Sequence, residues 1–226
     1  TAVYVARPGI GRALAGRSLL VAGVLVVAAA TGGVGLSATG QTVHQTQTPY
    51  QELEVVDSGD TRTLYLDGQP HSAMYLDDPT AHVFDYTPYF HLPLLMTDDV
   101  DRVLFVGGGG FTGPKRFAEE YDVTVDVAEI DPEVVDAAKR YFEVEESERL
   151  NIHTVGGRQY LQETNRTYDL IVLDAYRKDK VPFQLTTVEF MHLANDRLSE
   201  DCVLFANVIS APDGPASKFY RAQYKT

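Results

Sequence analysis

Residues 102–131 read RVLFVGGGGFTGPKRFAEEYDVTVDVAEID, and the fold follows from them. The stretch opens on an apolar run, Val103 to Val106, of the length of a fully buried strand. The run empties into Gly107, Gly108, Gly109 and Gly110, where backbone must bend sharply or approach a ligand with no Cβ in the way. A helix is expected from about Pro114 to Tyr121. A second strand follows, Val123 to Ala128, closing on Glu129, 22 positions beyond the first glycine. This register matches dinucleotide-type folds, in which a glycine turn lies under the ligand and an acid about 20 residues on takes the ribose hydroxyls.

On the C-terminal side, Asp131-Pro132 offers a cap and a first-turn proline to a helix whose buried face carries Val134, Ala138 and Phe142. Asn151 to Val155 reads as a third strand, turning through Gly156-Gly157 into a short helix. Tyr168 to Leu173 reads as a fourth strand, ending on Asp174. Thr186-x-x-Glu189 has the spacing of a capping box, and Cys202 to Val208 makes a fifth strand. Near-continuous apolar strands alternating with helices imply an α/β fold, a parallel sheet covered on both faces. Ligands of such sheets bind beyond the carboxyl ends of the strands. The candidate site residues are therefore Gly107 to Gly110, Glu129, Gly156, Gly157 and Asp174.

On the N-terminal side, alternation from Tyr50 onward, with turns at Asp57 to Asp60 and Asp67-Gly68, predicts a small antiparallel β unit. Pro88 to Met96 is expected to link it helically to the parallel sheet. The boundaries that result are a basic flank (1–17), a membrane helix (18–38), a polar linker (39–49), the β unit (50–98) and a Rossmann-like domain (99–226). Ser18 to Ala38 is 21 residues without a charge, long enough to span a bilayer; a cleaved signal peptide is the rival reading. Arg7, Arg12 and Arg17 would place its N-terminal end in the cytoplasm, against the chemistry argued below, so the side is left open. Thr1 in place of Met predicts an excerpt of a longer chain, with the sheet lacking its last strands. An exposed apolar edge is then expected beside Cys202 to Val208, unless missing sequence or a second copy, as in a homo-oligomer, covers it.

The net charge of -13 is uneven: the first 51 residues carry +3 and the rest -16. So acidic a surface argues against nucleic acid as a partner, and fits either plain solubility or a salt-loving source. Cys202 is the single cysteine, which excludes a disulfide within the chain, and the six histidines lack metal-ligand spacing, so no metal is expected.

With these residues placed, the chain resembles the spermidine synthase family, the polyamine aminopropyltransferases, from about Tyr50 to its end. The resemblance is carried by Tyr50-Gln51, Leu66-Asp67-Gly68, His91-Leu92-Pro93, the glycine turn, Glu129-Ile130-Asp131, and Asp174 followed by Phe183 to Phe190. It also resembles the branch in which this domain is fused behind a multi-helix membrane region, with Ser18 to Ala38 as a last helix. It implies a β unit followed by a methyltransferase-like Rossmann sheet. It further implies that Gln51, the glycines and Glu129 hold decarboxylated S-adenosylmethionine, and that Asp174 orients or deprotonates an attacking amine. The chain departs from the family pattern at Gly110, Gly156 and Arg177, each replacing an acid, and at Tyr86-Thr87, replacing a His-Glu pair. Three functions remain open at this level: aminopropyl transfer, methyl transfer from S-adenosylmethionine if the lost acid at 110 makes room for its carboxylate, and a catalytically silent nucleoside sensor.

Overall fold

The computed structural model describes residues 2–6, 40–97, 99–176, 181–208, 214 and 217–223. Strand β1 (Ala2–Ala6) lies far in sequence from the rest; β2 (Gln41–Gln47), β3 (Glu52–Ser58), β4 (Thr61–Leu66) and β5 (Gln69–Tyr75) follow. These last four form an antiparallel meander in chain order. Its tight turns fall at Gly59 and at Asp67-Gly68, all with positive φ. A 3-10 segment, Thr87–Leu95, then leads into the larger sheet.

That sheet is built from β6 (Arg102–Val106), β7 (Thr124–Glu129), β8 (Leu150–Thr154), β9 (Tyr168–Leu173) and β10 (Leu198–Val208), with α1 (Thr112–Glu120), α2 (Pro132–Tyr141), α3 (Gly157–Glu163) and α4 (Val188–Asn195) between them. A last helix, α5 (Lys218–Gln223), ends the described chain. The order is β1-β10-β9-β6-β7-β8, parallel except for β1. Chain direction across the sheet reverses between β6 and β9, which makes that junction the switch point where ligands of open α/β sheets bind.

Alternate residues of β6 face opposite ways. Val103 and Phe105 join a core with Phe117 and Val125 that also takes in Leu53, Val55 and Leu64 of the meander. Leu104 and Val106 pack with Leu161, Ile171, Phe190 and Leu204 on the other side. The small sheet is thus welded to one face of the large one through a shared apolar interior. That contact brings β5 over the switch point.

Three expectations need correcting. Within the expected linker, Gln41–Gln47 is a strand that pairs antiparallel with β3 as the edge of the meander. The segment is too polar to announce itself, with Val43 its single aliphatic side chain, and the register comes from its neighbour. The edge beside Cys202 to Val208 is not bare, because Ala2–Ala6, read as a basic flank, pairs along Leu204 to Val208. The cap of α4 is Thr187, whose hydroxyl accepts from the Phe190 amide at 3.2 Å; Thr186 instead donates to Phe183 O. Residues 18–38 and Arg177 lie outside the described residues, among which no helix is long and apolar enough to cross a membrane.

Candidate active site

The carboxyl ends of β6, β7, β8 and β9, roofed by the connection between β2 and β3 and by β5, enclose a cleft of about 1100 Å³. Its lining includes Gln51, Gly107, Gly108, Gly109, Glu129, Gly156, Gly157 and Asp174. Eight of the nine candidate residues thus meet in one place.

Glu129 ends β7 and is 7 % exposed. Its side chain turns toward the glycine loop: Oε2 accepts from the Gly108 amide at 2.8 Å and Oε1 from the Asp131 amide at 3.0 Å. Loss of hydration raises this carboxyl above the usual Glu range, and the amides of Asp131, Gly108 and Gly109 oppose the rise. A carboxylate offers about four acceptor sites, so capacity is left for a hydroxyl-bearing ligand. Ile130, 41 % exposed, extends an apolar shelf over the same floor, in contact range of Gly156.

Two glycines of the site are required for different reasons. Gly107 has φ +97, and a Cβ there would lie 2.8 Å from the Asp174 carbonyl oxygen, so only glycine lets β6 and β9 close up at the switch point. Gly157 starts α3 against Val106, whose Cγ1 would be 2.3 Å from an added Cβ. Gly110 is the exception among the candidates. It does not line the cleft. Its amide donates to Ser72 Oγ at 2.8 Å, and an added Cβ would meet Ser72 Cβ at 2.7 Å and Phe142 at 3.2 Å. Loss of the family acid at 110 therefore opens no room for a ligand carboxylate; Ser72 and Phe142 already occupy it.

Asp174 ends β9, half-buried on the cleft wall. Burial pushes its carboxyl up to about 7, while the Asn207 amide, donating to Oδ1 at 2.8 Å, pulls the other way. Access to the cleft tempers the rise without reversing it. Tyr86 and Tyr176 flank it: the Tyr86 hydroxyl donates to His71 O at 3.2 Å and Tyr176 to Asn207 O at 2.6 Å. A carboxylate that titrates near neutrality can exchange a proton at working pH.

The Gln51 end is tied to the sheet through Asp131. This buried acid caps α2 through the Glu133 amide at 3.1 Å and accepts from Thr48 Oγ1 at 2.6 Å and, more weakly, from Gln51 Nε2 at 3.5 Å. Thr48 Oγ1 in turn accepts from the Gln51 amide at 3.1 Å. The roof residue is thereby fixed relative to the β7 end.

Residues 87–220 match the model of the spermine/spermidine synthase domain. The chain belongs to this family. Among its relatives, the polyamine aminopropyltransferase of Vibrio vulnificus is 31 % identical over 179 residues, covering 74 % of this chain and 59 % of the relative. That of Chromobacterium violaceum is 30 % identical over 162 residues, covering 69 % and 61 %. This spermine/spermidine synthase family chain thus spans about three-fifths of the length of these curated relatives. A probable spermidine synthase from Corynebacterium glutamicum shares the fold with a TM-score of 0.71 at 21 % identity, over 80 % of this chain and 68 % of that one.

The sequence reading missed four side chains of the site: Asn207, Ser72, His71 and Tyr176. Asn207 could have been found, since it lies at the carboxyl end of β10 by the same rule that selected Glu129 and Asp174. Ser72 and His71 reach the cleft from β5, a contact made by packing of the two sheets that no local pattern announces.

Proposed function

We propose that this domain transfers an aminopropyl group from decarboxylated S-adenosylmethionine to an amine. The observation that carries this reading is the pair of strand-end carboxylates on one cleft, Glu129 clamped under the glycine turn and Asp174 held by the Asn207 side chain. Glu129 takes the ribose hydroxyls of the donor with its remaining lone pairs. Gly156, Gly157 and Ile130 lie under the base, and Gln51 closes the roof.

The acceptor arrives as an ammonium, which is inert as a nucleophile until it loses a proton. Asp174 attracts that cation and takes the proton, and its position near neutrality suits it to do so. The freed nitrogen lone pair then attacks the methylene next to sulfur. The carbon–sulfur bond breaks with its electrons on sulfur, releasing methylthioadenosine as a neutral thioether. Holding the two reactants in line is the rest of the catalytic task. The polyamine aminopropyltransferases among the relatives support this reading.

The test is product identity. Protein is incubated with a pool of primary amines and either decarboxylated or intact S-adenosylmethionine. Release of methylthioadenosine with the decarboxylated donor alone is expected. S-adenosylhomocysteine from the intact donor would replace this reading with methyl transfer, and binding without either product would leave a nucleoside sensor. We propose also that residues 18–38 tether the domain to a membrane, on the strength of 21 uncharged residues. Retention of the expressed protein in the membrane pellet after alkaline carbonate washing is expected; quantitative release would refute it.

A further inference from the structure

Asp126 is fully buried, yet it is not among the described residues that line the cleft. It stands three positions before Glu129 on β7, on the face that Ala128 shares with Tyr160 and Tyr168. Arg166 Nη1 donates to both of its oxygens, at 2.7 and 2.8 Å. The Tyr168 hydroxyl donates to Oδ2 at 2.8 Å, and His153 Nε2 lies 3.2 Å from Oδ1. Burial raises such a carboxyl, but these partners outweigh it and hold Asp126 below the ordinary Asp range. An ionised carboxylate only accepts, so His153 carries its proton on Nε2 and every donor points inward.

Two of these connections come from the two arms of one turn. His153 is on β8, three residues before Gly156, and Tyr160 is on α3, three residues after Gly157. Their rings pack with centroids 4.7 Å apart. Because Tyr168 gives its hydroxyl proton to Asp126, Tyr160 is the donor in the 2.7 Å bond between the two phenols. A chain of bonds therefore runs from α3 through Tyr168 to Asp126, and a second runs from β8 to the same carboxylate. The Gly156-Gly157 turn between the arms lines the cleft as bare backbone, with no side chain of its own to fix it. Apolar residues of similar volume would often hold such elements together as firmly as a buried ion pair. What directed bonds add is a defined geometry.

A nucleoside keeps a nearly fixed distance between its ribose hydroxyls and its base. The acid that takes the one and the floor under the other must therefore keep a set separation. Strand β7 carries both reference points, Glu129 for the ribose and Asp126 for the arms of the floor. Resting on the reading of this cleft as the site of a nucleoside donor, we propose that Asp126 is a positioning residue for donor binding. It holds both arms of the Gly156-Gly157 turn in register with Glu129, so that base and ribose are met together.

The experiment sets Asp126→Asn and Tyr160→Phe beside the wild type, each as the full chain. Tyr160→Phe keeps the ring on His153 and removes one link, so it decides the matter where Asp126→Asn does not fold. The readouts are the Kd of methylthioadenosine by calorimetry, kcat and KM for decarboxylated S-adenosylmethionine, and the urea midpoint. Kd and KM are expected to rise roughly five- to tenfold, the worth of one net hydrogen bond. At saturating donor, kcat should stay within roughly twofold and keep its acid limb in place. Unchanged Kd and KM in a folded variant, with or without a lowered midpoint, would make the cluster structural and overturn the inference. A fall in kcat alone would overturn it too, and either result leaves aminopropyl transfer standing. A wild type that does not bind methylthioadenosine overturns both.

Discussion

Two acids end adjacent regions of the same sheet edge and have been given opposite surroundings. Glu129 lies in a cage of backbone amides from Gly108, Gly109 and Asp131, which oppose the pull of burial. Asp174, one switch point away, has the Asn207 side chain as its hydrogen-bond donor, and burial carries it to about 7. Fixed amide dipoles hold a charge where a ligand's hydroxyls must be gripped. A sparser environment leaves the second carboxyl ready to gain and lose a proton. Among the described residues the two differ in the donors that face them, three backbone amides at Glu129 and the Asn207 side chain at Asp174.

The largest expected effect breaks the comparison at its chemical end. Asp174→Asn keeps the size and the neighbours but cannot take a proton. We expect kcat to fall by roughly 10²- to 10⁴-fold, the usual worth of a general base, with donor affinity by calorimetry unchanged. A kcat within threefold of the wild type, roughly 0.7 kcal/mol, would remove Asp174 from the chemistry.

Next in size is a pair of glycines, one at each acid. Gly107→Ala puts a methyl 2.8 Å from the Asp174 carbonyl at φ +97, and should destabilise the fold by about 1–3 kcal/mol. Gly156→Ala, on the Glu129 side, meets only Ile130 at 3.4 Å and should stay within about 0.5 kcal/mol. Urea titration of the two variants checks the contrast; equal midpoints would contradict it.

The smallest effect sharpens the electrostatics. Because the acid must be ionised to act as a base, kcat should fall as pH drops through about 7. The Asn207 amide favours the ionised form, so Asn207→Leu should raise the acid's pKa and move that limb to higher pH by roughly one unit. The donor Kd should not change. A limb that stays in place, or moves down, would show that this hydrogen bond does not set the titration.

What could be read from the sequence follows from what local pattern encodes. The apolar run before Gly107, the glycines themselves and the acids at two strand ends were legible because strand length, backbone freedom and the strand-end rule are local. Gly110 was misplaced because the residue that fills its space, Ser72, lies 38 positions away. The strand at Gln41–Gln47 was missed because its pairing comes from β3 and not from its own composition. Asn207 escaped because an apolar run draws attention to its middle, while the chemistry lies at its last residues.

The most direct measurement is the affinity of Glu129→Gln for methylthioadenosine, set beside that of Asp174→Asn. If the amide-caged carboxylate grips the ribose, Glu129→Gln loses about 1.5–3 kcal/mol, roughly 10- to 150-fold in Kd, while Asp174→Asn binds as the wild type does. Wild-type affinity in a folded Glu129→Gln protein would contradict the account.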